Sequence, residues 1–186
     1  MKEKHVQVFT PLDIRRTVGG SKIAVNFLVH RWKESGKIIS LKRGLYALPS
    51  AHIPEPYIAN KLYEPSYVSL EFALSYHRVI PETVYAITSV TTRATRQFET
   101  TGKVFTYRSI KKAAFTGYTT AQRGGFSFNI ADPEKAFVDT NYYRYLAGKA
   151  PLHRFDKEKV RTQRAVRYAR LFAQPRFVSI VISTLR

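Results

Sequence analysis

Cysteine is absent from the 186 residues, which excludes disulfides and thiolate metal sites and leaves the redox compartment open. Acidic residues are scarce: 13 Asp and Glu stand against 31 Lys and Arg, a formal net charge of +18. No stretch reaches the ~18 apolar residues of a membrane-spanning helix. The opening Met1-Lys2-Glu3-Lys4-His5 has no apolar core of the kind a secretory signal carries. A cytoplasmic location with no membrane partner is therefore expected. There is no Walker-type phosphate loop and no Gly-x-Ser-x-Gly turn. The five histidines, His5, His30, His52, His77 and His153, lack metal-ligand spacing. The sequence thus predicts no metal, no cofactor and no enzymatic activity.

What is present argues for a folded chain with a polyanionic partner. Hydrophobic residues make up 44%, and 12 Tyr and 12 Phe supply core material that a disordered chain would lack. Residues 1–50 carry ten basic and three acidic groups, 51–150 carry twelve and eight, and 151–186 carry nine and two. The excess positive charge thus concentrates at the two ends, where contact with nucleic acid is expected.

The first fifty residues are sharply punctuated. Thr10 before Pro11 is an N-cap followed by a proline at the first helical position, and Asp13 suits the positive end of the helix dipole. Leu12, Ile14 and Val18 give a short apolar stripe, and Gly19-Gly20 ends the helix. Ser21 caps a second helix, Lys22 to about Ser35, closed by Gly36. Ala24, Phe27, Leu28 and Trp32 follow helical spacing and are expected to face the core. Ile38–Leu41 and Leu45–Leu48 read as strands around the turn Lys42-Arg43-Gly44. Helix, turn, helix, hairpin is the order of a winged helix-turn-helix.

The proline-rich run from Pro49 to Pro56 reads as a linker, dividing the chain into a DNA-binding domain at 1–50 and an α+β domain at 51–186. In the second domain Tyr57–Tyr63 and Ser69–His77 read as short helices, and Val84–Thr88, Val104–Tyr107 and Phe126–Ile130 as strands. Asp132-Pro133-Glu134 starts a helix to about Leu146, residues 156–173 form a basic helix, and Phe177–Ser183 is a strand or short helix.

Three groups of residues carry candidate chemistry. Ser21, Lys22, Asn26, Val29 or His30, and Lys33 mark one side of the second helix. There a bidentate amide and cationic donors would meet base edges and phosphates in the major groove, although a solvated amphipathic helix shows the same stripe. Lys42 and Arg43 sit on the hairpin tip, placed to touch phosphates or the minor groove. Arg161, Arg164, Arg167 and Arg170 form a slowly drifting ridge for nucleic acid or an acidic protein partner, or a solvated face. Asp132, Glu134 and Asp139 could suggest a nuclease-like acid cluster, but Asp132-Pro133-Glu134 reads as an ordinary helix start: N-cap, proline at the first turn and acid at the dipole.

A set of segments in fixed order resembles the AbiEi-type antitoxins, transcriptional regulators of viral-defence systems. They are Phe9-Thr10-Pro11-Leu12-Asp13-Ile14, Lys42-Arg43-Gly44-Leu45-Tyr46-Ala47, Glu55-Pro56-Tyr57-Ile58-Ala59, Tyr67–His77 and Ile130–Asp139. The resemblance implies a winged-helix domain that binds a double-stranded operator of inverted repeats and represses its own promoter. It also implies a nucleotidyltransferase-like toxin as partner and a role in abortive infection against phage. A stand-alone regulator without a toxin is the alternative.

Overall fold

The structure is a computed structural model that describes residues 7–50 and 52–186. Met1–His5 and Ala51 of the proline-rich run lie outside the described residues. The fold is mixed α+β and divides into two compact units, one reaching to Ile53 and including Phe98–Lys103, the other holding 54–97 and 104–186. The break falls inside the proline-rich run, three residues beyond the expected boundary, and six residues placed by sequence in the second domain group with the first.

The first unit begins with strand β1 (Val8–Phe9), then helices α1 (Pro11–Val18) and α2 (Lys22–Glu34) and a hairpin of β2 (Ile39–Lys42) and β3 (Leu45–Ala47). The α1 start is a reciprocal capping box: the Thr10 N–H and hydroxyl donate to Asp13 Oδ2 at 2.8 and 2.7 Å, and the Asp13 N–H donates to Thr10 Oγ1 at 3.3 Å. Gly19 and Gly20 both take positive φ, which lets the chain turn sharply into the Ser21 cap of α2, whose Oγ accepts from Ala24 N–H at 3.2 Å. The sheet runs β1-β3-β2, all antiparallel. Phe9, Ile14, Val25, Val29 and Ile38 form its core, with Leu28, Trp32 and Tyr46 packed partly against it.

Two core expectations fail here. On α1 only Ile14 is buried, while Leu12 and Val18 are exposed. On α2 the buried residues are Val25 and Val29, at 3% and 6% exposure; Phe27 is 66% exposed and Ala24 also faces out. The helix is apolar on nearly every side (Ile23, Ala24, Val25, Phe27, Leu28, Val29, Trp32), so spacing alone does not choose its inward face.

A six-stranded mixed sheet runs in the order β6-β7-β5-β4-β9-β8, and all of it except Phe98–Lys103, which spans the β6–β7 turn, belongs to the second unit. Its strands are β4 (Ser66–Val68), β5 (Ile87–Thr91), β6 (Arg96–Thr100), β7 (Lys103–Ser109), β8 (Tyr118–Arg123) and β9 (Phe126–Ala131). β4 is antiparallel to β5 and parallel to β9, and β5 is parallel to β7. Helix α3 (Glu55–Leu62) is tied to β9 through Asn60, whose Oδ1 accepts from Asn129 N–H at 2.5 Å. Helix α4 (Leu70–Tyr76), helix α6 (Thr162–Arg170) and helix α7 (Pro175–Leu185) pack around α5 (Pro133–Leu146). Nine consecutive α5 residues, Glu134–Tyr142, are buried, and the rings of Tyr142, Phe172 and Phe177 pack together in tilted and edge-on arrangements with centroids 4.0–5.5 Å apart. The single basic helix expected over 156–173 is instead a 3-10 turn at Lys157–Lys159 followed by the shorter α6, and the final segment is helical. No helix among the described residues is long and apolar enough to cross a membrane.

Candidate nucleic-acid interface

The second helix of the first unit carries its polar residues outward because Val25 and Val29 fix the inward face. Ser21, Lys22, Asn26, His30 and Lys33 are all exposed. Val29, the alternative to His30 in that stripe, is buried in the core. Lys22 and Asn26 share a groove with Pro11, Leu12, Arg15 and Val25, an open space of about 370 Å³ between the two helices. Among residues 7–50 there are eight Lys and Arg against two acids, Asp13 and Glu34. The Asp13 carboxylate is occupied by the α1 cap, which leaves little acid on this surface to offset the cations.

At the hairpin tip the two basic residues differ. Arg43 is exposed, whereas Lys42 is half-buried and paired in register with Leu45 across the turn. Any contact with a polyanion from this tip therefore falls first to Arg43.

The arginine ridge is not one free surface. Asp132 caps α5, its Oδ1 accepting from Lys135 N–H at 2.8 Å. Its Oδ2 accepts from Arg164 Nη2 at 2.6 Å and from the Tyr168 hydroxyl at 2.7 Å, and Arg164 Nε donates to that hydroxyl at 3.1 Å. Arg161 Nε donates to Glu134 Oε1 at 2.6 Å. Two of the four ridge arginines are thus turned onto the start of α5, Arg164 half-buried there and Arg161 still exposed; Arg167 and Arg170 are exposed as well. The carboxylates respond in opposite directions. Burial lifts Asp132 above the usual range, and Lys135 N–H, Tyr168 and Arg164 only partly offset it. Burial also pushes Glu134 up, but the Arg161 hydrogen bond together with the charges of Arg161 and Arg164 outweighs it and holds the group below its ordinary value.

The third carboxylate of the supposed acid cluster lies in the interior. Asp139 and Lys135 are both fully buried and form an i,i+4 ion pair. Asp139 Oδ2 also accepts from the Tyr67 hydroxyl at 3.0 Å and from Ser69 Oγ at 2.8 Å. The Lys135 ammonium lies 5.0 Å from the Phe172 ring centre and 5.9 Å from that of Tyr67. Burial raises the Asp139 carboxyl, with Lys135 acting against it, and raises Tyr67, with Asp139 adding to it. These carboxylates act as helix caps and buried partners, and no group of three or more His, Asp or Glu among the described residues could hold a metal ion.

Sequence reasoning missed Ile23 and Phe27 as surface residues, and it missed Lys135, Tyr67, Ser69 and Tyr168 as parts of polar networks. The Lys135/Asp139 spacing was the one available signal. No family model matches the chain, and no curated protein is significantly similar to it.

Proposed function

We propose that the first unit is a winged helix-turn-helix that binds duplex DNA, and that the chain acts as a cytoplasmic, DNA-binding transcriptional regulator and antitoxin. In this reading α2 enters the major groove, and the β2–β3 hairpin is the wing that holds the backbone through Arg43. One observation carries it. Lys22, Asn26, His30 and Lys33 stand exposed on a single helix, and none is held in an ion pair among the described residues. The helix–Gly-Gly–helix order and the β1-β3-β2 sheet support the same assignment. Repression of its own promoter, and action against a nucleotidyltransferase-like toxin in abortive infection, rest on the resemblance to AbiEi-type antitoxins.

Asn26 supplies the test. A neutral amide adds nothing to counterion release, and a bidentate contact to adenine is worth about 1–3 kcal/mol of discrimination. Asn26→Ala should weaken binding to a duplex selected from a random pool roughly ten- to hundredfold, sparing scrambled duplex. Unchanged preference for the selected duplex would reject α2 as the reading helix.

A further inference from the structure

The outermost side chains of α2 are apolar. Ile23 and Phe27 are 70% and 66% exposed, one helical turn apart, on the side opposite Val25 and Val29. The surface around them is cationic or polar, with Lys22, Asn26, His30 and Arg31 flanking the pair on the same helix. An apolar pair of this size, left in water in the middle of a cationic face, requires an explanation. A purely electrostatic contact with phosphate leaves it unused.

We propose that Ile23 and Phe27 read thymine in the major groove through its C5 methyl group, an inference that rests on DNA binding by the first unit. The thymine methyl is the apolar feature of a base-pair edge in that groove, and aliphatic and aromatic side chains are its natural partners. Charge complementarity selects DNA as the occupant, since a protein partner burying this pair would also have to bury the flanking cations. The acid on this side of the helix, Glu34, lies at its C-terminal end. That favours insertion of the N-terminal half, where Ile23 and Phe27 stand, and keeps the acid away from phosphates. Residues at i and i+4 are about 6 Å apart, and bases rise about 3.4 Å per step. The two side chains therefore span about two base-pair steps.

The full chain would be used to select its preferred duplex from a random pool. That duplex would then be remade with each thymine replaced in turn by deoxyuridine, which removes the methyl and keeps the hydrogen-bonding edge. The expected result is a loss of about fourfold at one or two thymines no more than about two steps apart, the worth of one buried methyl-sized group each. Phe27→Ala and Ile23→Ala should bind the parent duplex more weakly and be indifferent to the same replacements. Both variants replace exposed residues with a better helix former, so folding is retained. A uridine series without effect, in a protein whose duplex preference still depends on Asn26, overturns the inference and leaves DNA reading intact. So does a flat uridine series combined with loss of self-association in Phe27→Ala by sedimentation, which assigns the face to a second copy of the chain. Failure to bind any duplex overturns both this inference and the reading it rests on.

Discussion

Removing either charge of the Lys135–Asp139 pair should damage the second unit more than removing both. Each side chain is fully buried, so Lys135→Met leaves a carboxylate, and Asp139→Asn an ammonium, without a counter-charge in the interior. Such a change costs about 3–5 kcal/mol, against a total stability of about 5–15 kcal/mol. At about 2–4 °C per kcal/mol for a chain of this size, each single variant should lose roughly 6–20 °C in Tm. Asn at 139 keeps an oxygen for the hydroxyls of Tyr67 and Ser69, both of which donate to the same atom. The double variant therefore buries no charge and retains that acceptor. It should be more stable than either single variant, with a coupling free energy of at least about 2 kcal/mol. Urea and thermal unfolding of the four proteins measure this directly. A double variant whose loss equals the sum of the single losses would refute the claim that these groups compensate each other.

Two further outcomes concern the start of α5. A Cβ on Gly117, at φ +76, would sit 2.7 Å from the Tyr168 ring and 3.0 Å from Lys135 Cβ. Gly117→Ala should cost about 2–4 kcal/mol from backbone strain and overpacking together. Gly148→Ala, with positive φ but open space around it, should cost only about 1 kcal/mol, and equal losses would contradict the packing argument. Glu134 is held below its ordinary value by Arg161 and Arg164 against the opposing effect of burial. Its contribution is therefore full above about pH 4.3, the unfolded value, and is lost as pH falls through the folded one. The Tm advantage of wild type over Glu134→Gln should hold at pH 6–7 and shrink below about pH 4; a constant difference down to pH 3 would contradict it.

Capping residues were the most legible part of the sequence. Thr10, Pro11 and Asp13, Ser21, and Asp132 with Pro133 each begin a helix at the expected residue, because a cap is a local hydrogen bond that needs no tertiary partner. Facing was poorly legible where a helix is apolar all round, as Ala24 and Phe27 show. β4 has three residues and β8 is mostly exposed, so neither gives a clear alternation. β6, Arg96–Thr100, is polar and was missed for the same reason. For the candidate site, the exposed stripe of Lys22, Asn26 and Lys33 was legible from polarity. The partners of Arg161 and Arg164 were not, because Glu134 and Asp132 lie about thirty residues away in the chain and only the packing of α6 beside α5 brings them together.

Central to this account is contact between the first unit and DNA phosphates, and the salt dependence of duplex affinity tests it most directly. Neutralising about six phosphates would give a slope of log affinity against log salt near −5. Arg43→Ala should reduce that slope by about one, the loss of a single phosphate contact. Arg161→Ala should leave it unchanged, because that guanidinium already lies on Glu134. A flat salt response, or a slope that depends on Arg161 and not on Arg43, would contradict the account.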